Sequence, residues 1–382
     1  MNGAKLLSRI TLLAVVLFGL AVGIIARLNR EPTNNGKPTS DSARTNPLRK
    51  RDGLESVAAG QALRDEVARL RRGASRDDGR AGLAELSARI ATLPKAEMSV
   101  MMGEFLRSGA DAPTGLGFKV GAGGALNEAP SLRVFLLDEL ARLDPASAAE
   151  VARSILAVKT SPDEWAVAMR NLARVQDDAA GRAFLESKMR ELLTHEPWQQ
   201  EASAGFLEAF DVAVHLGGTN LVPEIAALVR RTDNRAASHA AYLTLDRLVI
   251  SEPAPMLERF TEDPSLMAGR EATRANYFAR ADVNNAAQRA VLERYLLDGQ
   301  RTPEELSTFA GLYPNANFMI SENLLTTART PDRATLATRD AGALRVVNEW
   351  LAEERFAARR ELLERVRGRL ERFVRQASRL NP

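Results

Sequence analysis

Residues 132–173 read LRVFLLDELARLDPASAAEVARSILAVKTSPDEWAVAMRNLA. Leu132, Phe135, Leu136, Leu140 and Leu143 recur at the three- and four-residue spacing that places apolar side chains on one helical face. Asp144-Pro145 and Ser161-Pro162 interrupt the pattern. An oxygen-bearing N-cap satisfies an orphan backbone N–H, and proline at the first helical position has none to satisfy, so each pair reads as a helix start. The stretch predicts three short amphipathic helices separated by tight turns.

The same signals continue outward. Ser161-Pro162-Asp163-Glu164 and Thr302-Pro303-Glu304-Glu305 have the full form of a capping box, with glutamate at the third helical position. Asp263-Pro264 and Thr330-Pro331 repeat the cap and proline, Phe206, Phe210 and Val214 repeat the apolar spacing, and Leu216-Gly217-Gly218-Thr219 and Leu297-Asp298-Gly299 read as short turns. No convincing alternating strand occurs. About fourteen helices, most of roughly 12–18 residues, are expected after residue 53.

Consecutive short helices joined by tight turns pack as antiparallel neighbours. The expected class is therefore all-α: an array of short antiparallel helical pairs, an α-solenoid or irregular superhelix over residues 53–338. On the 132–173 segment the chain resembles HEAT-like or tetratricopeptide-like superhelical proteins, and in texture over about residues 54–335. It departs from them in register: Pro145 to Pro162 is 17 residues, Pro162 to Pro197 is 35, and Pro264 to Pro303 is 39. Trp165 precedes Ala166, Val167 and Ala168 rather than the leucine-glycine pair of the tetratricopeptide signature. The array is degenerate.

Ahead of the helices, residues 10–26, from Ile10 to Ala26, form the uncharged stretch ITLLAVVLFGLAVGIIA behind the basic flank 1–9. As a helix it spans about 26 Å, close to the short limit for a bilayer core. Its eleven Ile, Leu, Val and Phe side chains favour insertion by about 3 to 6 kcal/mol as an upper bound. The small-x-small site Ala21-Val22-Gly23 lies inside the apolar run, a poor place for signal cleavage, so an uncleaved single-pass signal-anchor is expected. Basic residues flank both sides. The short basic N-terminus favours an inner-membrane protein of bacterial type with its soluble part extracytoplasmic, in the periplasm. Residues 27–52, rich in Pro, Asn, Ser and charge, form a disordered linker with a span near 28 Å.

Composition removes several chemistries. The absence of cysteine excludes disulfides, thiolate metal sites and cysteine nucleophiles. Fifty-two basic residues against 49 acidic ones leave a net charge of +3, too balanced to expect a nucleic-acid partner for the whole chain. His195, His215 and His239 stand far apart and form no metal-ligand pair, and no GxSxG elbow occurs. GLGFKVGAGG at 115–124 lacks the spacing of a phosphate loop and reads as an interhelical loop. Acidic pairs such as Asp138-Glu139, Asp177-Asp178 and Glu304-Glu305 read as caps and solvated faces. No catalytic residue, cofactor or metal site is assigned. Tyr313-Pro314-Asn315-Ala316-Asn317-Phe318 reads as a turn, with recognition as the functional alternative.

The C-terminal 339–382 segment is expected to form one long basic helix, weakened only at Gly342 and Gly368. Leu363, Val366, Leu370, Phe373, Ala377 and Leu380 follow a heptad seam, which implies possible helix–helix self-association through Leu363, Val366, Leu370 and Phe373. Around it lie nine arginines, Arg355, Arg359, Arg360, Arg365, Arg367, Arg369, Arg372, Arg375 and Arg379, against Glu361, Glu364 and Glu371. They are the candidate site for an anionic partner.

Anchor, tether and helices together point to a membrane-anchored scaffold for protein–protein interaction. The alternatives are an envelope enzyme whose carboxylates converge only in the fold, and a lipid- or nucleic-acid-binding terminal helix.

Overall fold

The computed structural model describes residues 60–380 except 62, 73 and 74, so the apolar stretch 10–26 and the linker 27–52 lie outside the described residues. Among the described residues no helix is long and apolar enough to cross a membrane. The all-α class holds: 72% of the described residues are helical, and among them no strand exceeds three residues.

A helical stretch at 63–71 leads into α1 (Arg76–Thr92), α2 (Lys95–Ser108), α3 (Leu132–Leu143), α4 (Pro145–Leu156), α5 (Pro162–Ala173) and α6 (Ala179–Leu193). Three short helices follow, α7 (Glu196–Gln200), α8 (Ala204–Glu208) and α9 (Asp211–Leu216). Then come α10 (Val222–Val229), α11 (Arg235–Ser251), α12 (Pro253–Glu262), α13 (Glu271–Phe278), α14 (Ala286–Leu297), α15 (Pro303–Leu312), α16 (Arg333–Ala352) and α17 (Arg360–Leu380). Several are shorter than the 12–18 residues expected.

Most starts obey the cap rule. Ser131, Asp144, Ser161, Asp178, Ser203, Asn234 and Thr302 each accept a backbone N–H from the first turn. Two of the expected starts differ. Asp263-Pro264 opens only a four-residue 3₁₀ turn, and Asp332, not Thr330, caps α16. The two capping boxes are also half built: Ser161 and Thr302 accept from the N–H groups of Glu164 and Glu305, but both glutamate side chains turn to arginines of another helix.

Helices pack on neighbours two or three elements along the chain, α3 on α5, α5 on α8, α8 and α9 on α11, α13 on α15, and α15 on α17. A second string packs against these, with α4 on α5, α6 on α5 and α9, α10 on α11, and α12 on α11 and α14. Buried apolar side chains from Leu63 to Leu370 form one continuous core.

Two connections are much longer than tight turns, and each carries a small antiparallel hairpin: β1 (Lys119–Val120) with β2 (Leu126–Glu128), and β3 (Ser321–Glu322) with β4 (Thr327–Ala328). Strands this short leave no alternation to read in sequence. The hairpins meet. Gly124 has φ +74°, and a Cβ there would lie 2.0 Å from the Leu324 carbonyl oxygen, so only glycine permits this approach. Arg174 donates to the carbonyls of Gly123 (2.5 Å) and Leu324 (3.3 Å), and Asp211 accepts from the N–H groups of Leu325 (2.6 Å) and Thr326 (2.9 Å). The loops lack a core of their own, and side chains from the helices satisfy their backbone.

The single terminal helix expected over 339–382 is instead two helices, α16 and α17, broken at Glu353 by a 3₁₀ turn over Glu354–Arg359. Neither Gly342 nor Gly368 marks the break. Trp350 and Phe356 are both buried, with ring centroids 5.4 Å apart. Six residues on a continuous helix point about 120° apart and lie about 9 Å apart along the axis, so one unbroken rod cannot bring both rings together.

Candidate functional site

Arginine–carboxylate pairs dominate the buried polar structure. Arg133 on α3 holds Glu164 on α5 through two bonds of 2.8 Å, Arg170 on α5 reaches Asp138 on α3 at 2.5 Å, and Arg280 just beyond α13 holds Asp246 on α11 at 2.5 and 2.7 Å. Arg274 on α13 holds Glu305 on α15 at 2.7 and 2.5 Å, and Arg247 on α11 contacts Asp211 on α9. The partners are separated in sequence by 31, 32, 34, 31 and 36 residues respectively. Each pair joins a helix to its next-but-one neighbour, and each charge is met. These are structural joints, since a buried charge without its partner costs several kcal/mol.

One carboxylate beside them lacks such a partner. Glu208, at the end of α8, lines a cleft of about 400 Å³ with His239, Arg247 and Met319. Burial pushes its carboxyl up and the nearby Asp211 carboxylate adds to this, against the pull of Arg247. General acid–base chemistry on a polymer needs a second free carboxyl or a nucleophile. Asp211 does not supply it, because Arg247, the Thr326 hydroxyl (2.6 Å) and two backbone N–H groups occupy its oxygens; Glu322, exposed on the lining of the same cleft, is the other carboxylate there. Among the described residues no group of three or more His, Asp or Glu side chains is arranged to hold a metal ion.

The nine C-terminal arginines do not share one face. Arg355 pairs with Glu293 (2.9 Å) and Glu353 (2.5 Å), and Arg359 donates to the carbonyls of Leu296 (2.7 Å) and Asp298 (3.1 Å), so both fasten the 3₁₀ turn to α14. Arg365 reaches the Ser307 hydroxyl at 3.3 Å, and Arg367 and Arg375 flank Glu371 at 3.9 and 3.6 Å. Arg360 and Arg372 are exposed, and the side chain of Arg379 lies outside the described ones. The heptad seam divides between the core and the surface: Phe373 is only half-buried. Leu363, Val366 and Leu370 are buried in the chain's own core, where α17 packs on α15 and α16.

Arg369 is the exception among the nine. It is half-buried, its guanidinium lies 4.8 Å from the centre of the Phe373 ring, and its Nε is buried without a hydrogen-bond partner. Burial lowers its affinity for a proton, Arg372 lowers it further, and Asp340 opposes both. Asp340, on α16, is itself pushed up by burial against the pull of Arg339 and Arg369.

These two groups face a cleft of about 440 Å³ between α16, α17 and the loop after α15. Leu312, Leu336, Ala337 and Phe373 supply apolar wall, and Arg333, Asn317 and Gln376 supply polar wall. Pro314 and Asn315 close one side. Asn315 is buried and fixed, its N–H donating to Ala279 (2.8 Å), its amide donating to Asn276 (2.8 Å) and its oxygen accepting from the Asn317 N–H (3.0 Å).

Two features that stand apart in sequence, the Tyr313–Phe318 loop and the terminal arginines, thus converge here through Arg369 alone. Asp340 and Arg333 had escaped notice. Their only local signal is that Asp340 follows Leu336 by one helical turn. The cleft offers a cation, an acceptor and apolar wall within one small volume, which suits an amphipathic ligand bearing an anionic end. No family model, curated protein or solved structure matches this chain.

Proposed function

We propose that the chain is a membrane-anchored helical scaffold that binds another protein, built as a degenerate α-solenoid and tethered through residues 10–26, with the helices on the extracytoplasmic side. The observation that carries this reading is the recurrence of interhelix polar joints at separations of 31 to 36 residues from Arg133–Glu164 to Arg274–Glu305. A helix pair of that length, repeated and joined to the next, gives an extended surface of the kind that binds proteins.

The test has two arms. A C-terminal reporter active only outside the cytoplasm fixes the topology, and pull-down from crosslinked membranes recovers the partner. Activity of the reporter and a discrete set of co-purified proteins are expected. Recovery of the intact chain from the soluble fraction, or of no partner under several growth conditions, contradicts the scaffold.

A second reading, an enzyme acting on an envelope polymer, has the Glu208 cleft in its favour. It predicts that Glu208→Gln abolishes turnover of such a polymer while leaving the unfolding free energy within about 1 kcal/mol of wild type.

A further inference from the structure

The geometry points to the Arg369 cleft as a receptor for the C-terminal carboxylate of a partner polypeptide, an inference that rests on the protein-binding reading and names the partner's chemistry. Among the described residues the other part-buried arginines each meet at least one carboxylate or carbonyl, although Arg280, Arg301 and Arg339 also leave one buried nitrogen unmet. Arg133, Arg170, Arg247, Arg274 and Arg280 each bond a carboxylate, and Arg359 bonds two carbonyls. Arg369 bonds neither, although its Nε is buried. A guanidinium carries five N–H donors, and leaving even the desolvated Nε–H unmet is costly. A carboxylate in the cleft meets them bidentately.

The rest of the lining selects among anions. Asp340 repels a ligand of uniform negative charge such as phosphate, but accepts a hydrogen bond from the amide N–H that lies beside the carboxylate in every chain terminus. Leu336 and Phe373 supply the apolar wall a terminal side chain needs. The 312–317 loop, α16 and α17 supply the walls, and a chain terminus needs only one way in, whereas an internal acidic residue also needs an exit for the chain beyond it. The volume of about 440 Å³ lies within the range of small-ligand sites and admits a few residues.

The probes are three randomised octapeptide pools offered to the immobilised full-length protein: one with a free C-terminal carboxylate, one amidated, and one amidated with an internal glutamate. The free acid should be captured about tenfold or more over the amide, the discrimination of a charge-assisted bond. Arg369→Met should abolish that preference, and Arg372→Met, an exposed change on the same helix, should keep it. If Arg369→Met disturbs folding, Ala377→Trp, which fills the cleft, should give the same loss. Equal capture of acid and amide, no capture, preference for the internal glutamate, or a preference that survives both cleft variants overturns the assignment. Crosslinked partners still recovered with Arg369→Met alongside such a result leave the scaffold standing without this site.

Discussion

Arg133 and Glu164 meet through two parallel hydrogen bonds of 2.8 Å, and the relation returns in Arg274 and Glu305 at the same separation of 31 residues. In both, the glutamate occupies the third position of a helix opened by Ser-Pro or Thr-Pro. A residue that would cap its own helix binds a neighbouring one instead. The helix starts are set locally, and the stacking of one helix on the next is fixed by the same residue.

The first prediction concerns this joint. Glu164→Ala leaves the buried Arg133 charge without its carboxylate, with only the Leu106 carbonyl still accepting from it, and should destabilise the fold by about 3 to 5 kcal/mol in urea unfolding. Arg133→Met combined with Glu164→Leu should cost less than Glu164→Ala alone, because no charge is stranded. Additive losses would show that the two residues act independently.

Gly124→Ala places a methyl group against the Leu324 carbonyl at a positive φ, and should cost about 2 kcal/mol or more. Hydrogen exchange should rise in both hairpins, 119–128 and 321–328, although the substitution lies in only one. Faster exchange confined to the first hairpin would separate the two loops energetically.

Glu128 accepts hydrogen bonds from Arg76 (2.8 Å) and Arg80 (3.1 Å), which hold its carboxyl at about 2 against an ordinary 4.5. Its folded pKa is the lower one. The stabilisation is therefore complete above about pH 4.5 and is lost as the pH falls toward 2. Glu128→Gln should flatten the stability profile between those values and leave no additional slope above about pH 6. Denaturation at a series of pH values reads this directly, and an unchanged acid limb would remove the two arginines as its cause.

Leu370→Ala should destabilise the monomer by about 2 to 5 kcal/mol, because Leu370 is buried in the chain's own core. The variant should leave the sedimentation profile of the folded protein as it was. A change in association state would restore the seam as an intermolecular contact.

Much of the helical architecture was legible because its signals are local. Ser161-Pro162, Asp144-Pro145 and Thr302-Pro303 all open helices where they stand, and the apolar spacing of 132–143 becomes α3. What escaped depends on distant partners. The fate of Glu164 is decided by Arg133, 31 residues upstream, and the break at Glu353 by the need to bury Trp350 and Phe356 together. The hairpins had no periodicity to reveal them, because Asp211 and Arg174 hold them from far along the chain and Gly124 of one meets Leu324 of the other. Within the candidate site the arginines were visible as a group, but composition cannot tell Arg369, which lacks a partner, from Arg355 and Arg359, which are bonded to the 293–298 region.

A photoreactive amino acid placed singly at Gln376, at the cleft, and at exposed Val158, well removed along the chain, tests partner binding most directly. Irradiation of living cells should give one discrete adduct from Gln376 that survives denaturing purification, and little or none from Val158. An identical smear from both positions, or no adduct from Gln376 under any growth condition, would contradict the scaffold and the face assigned to it.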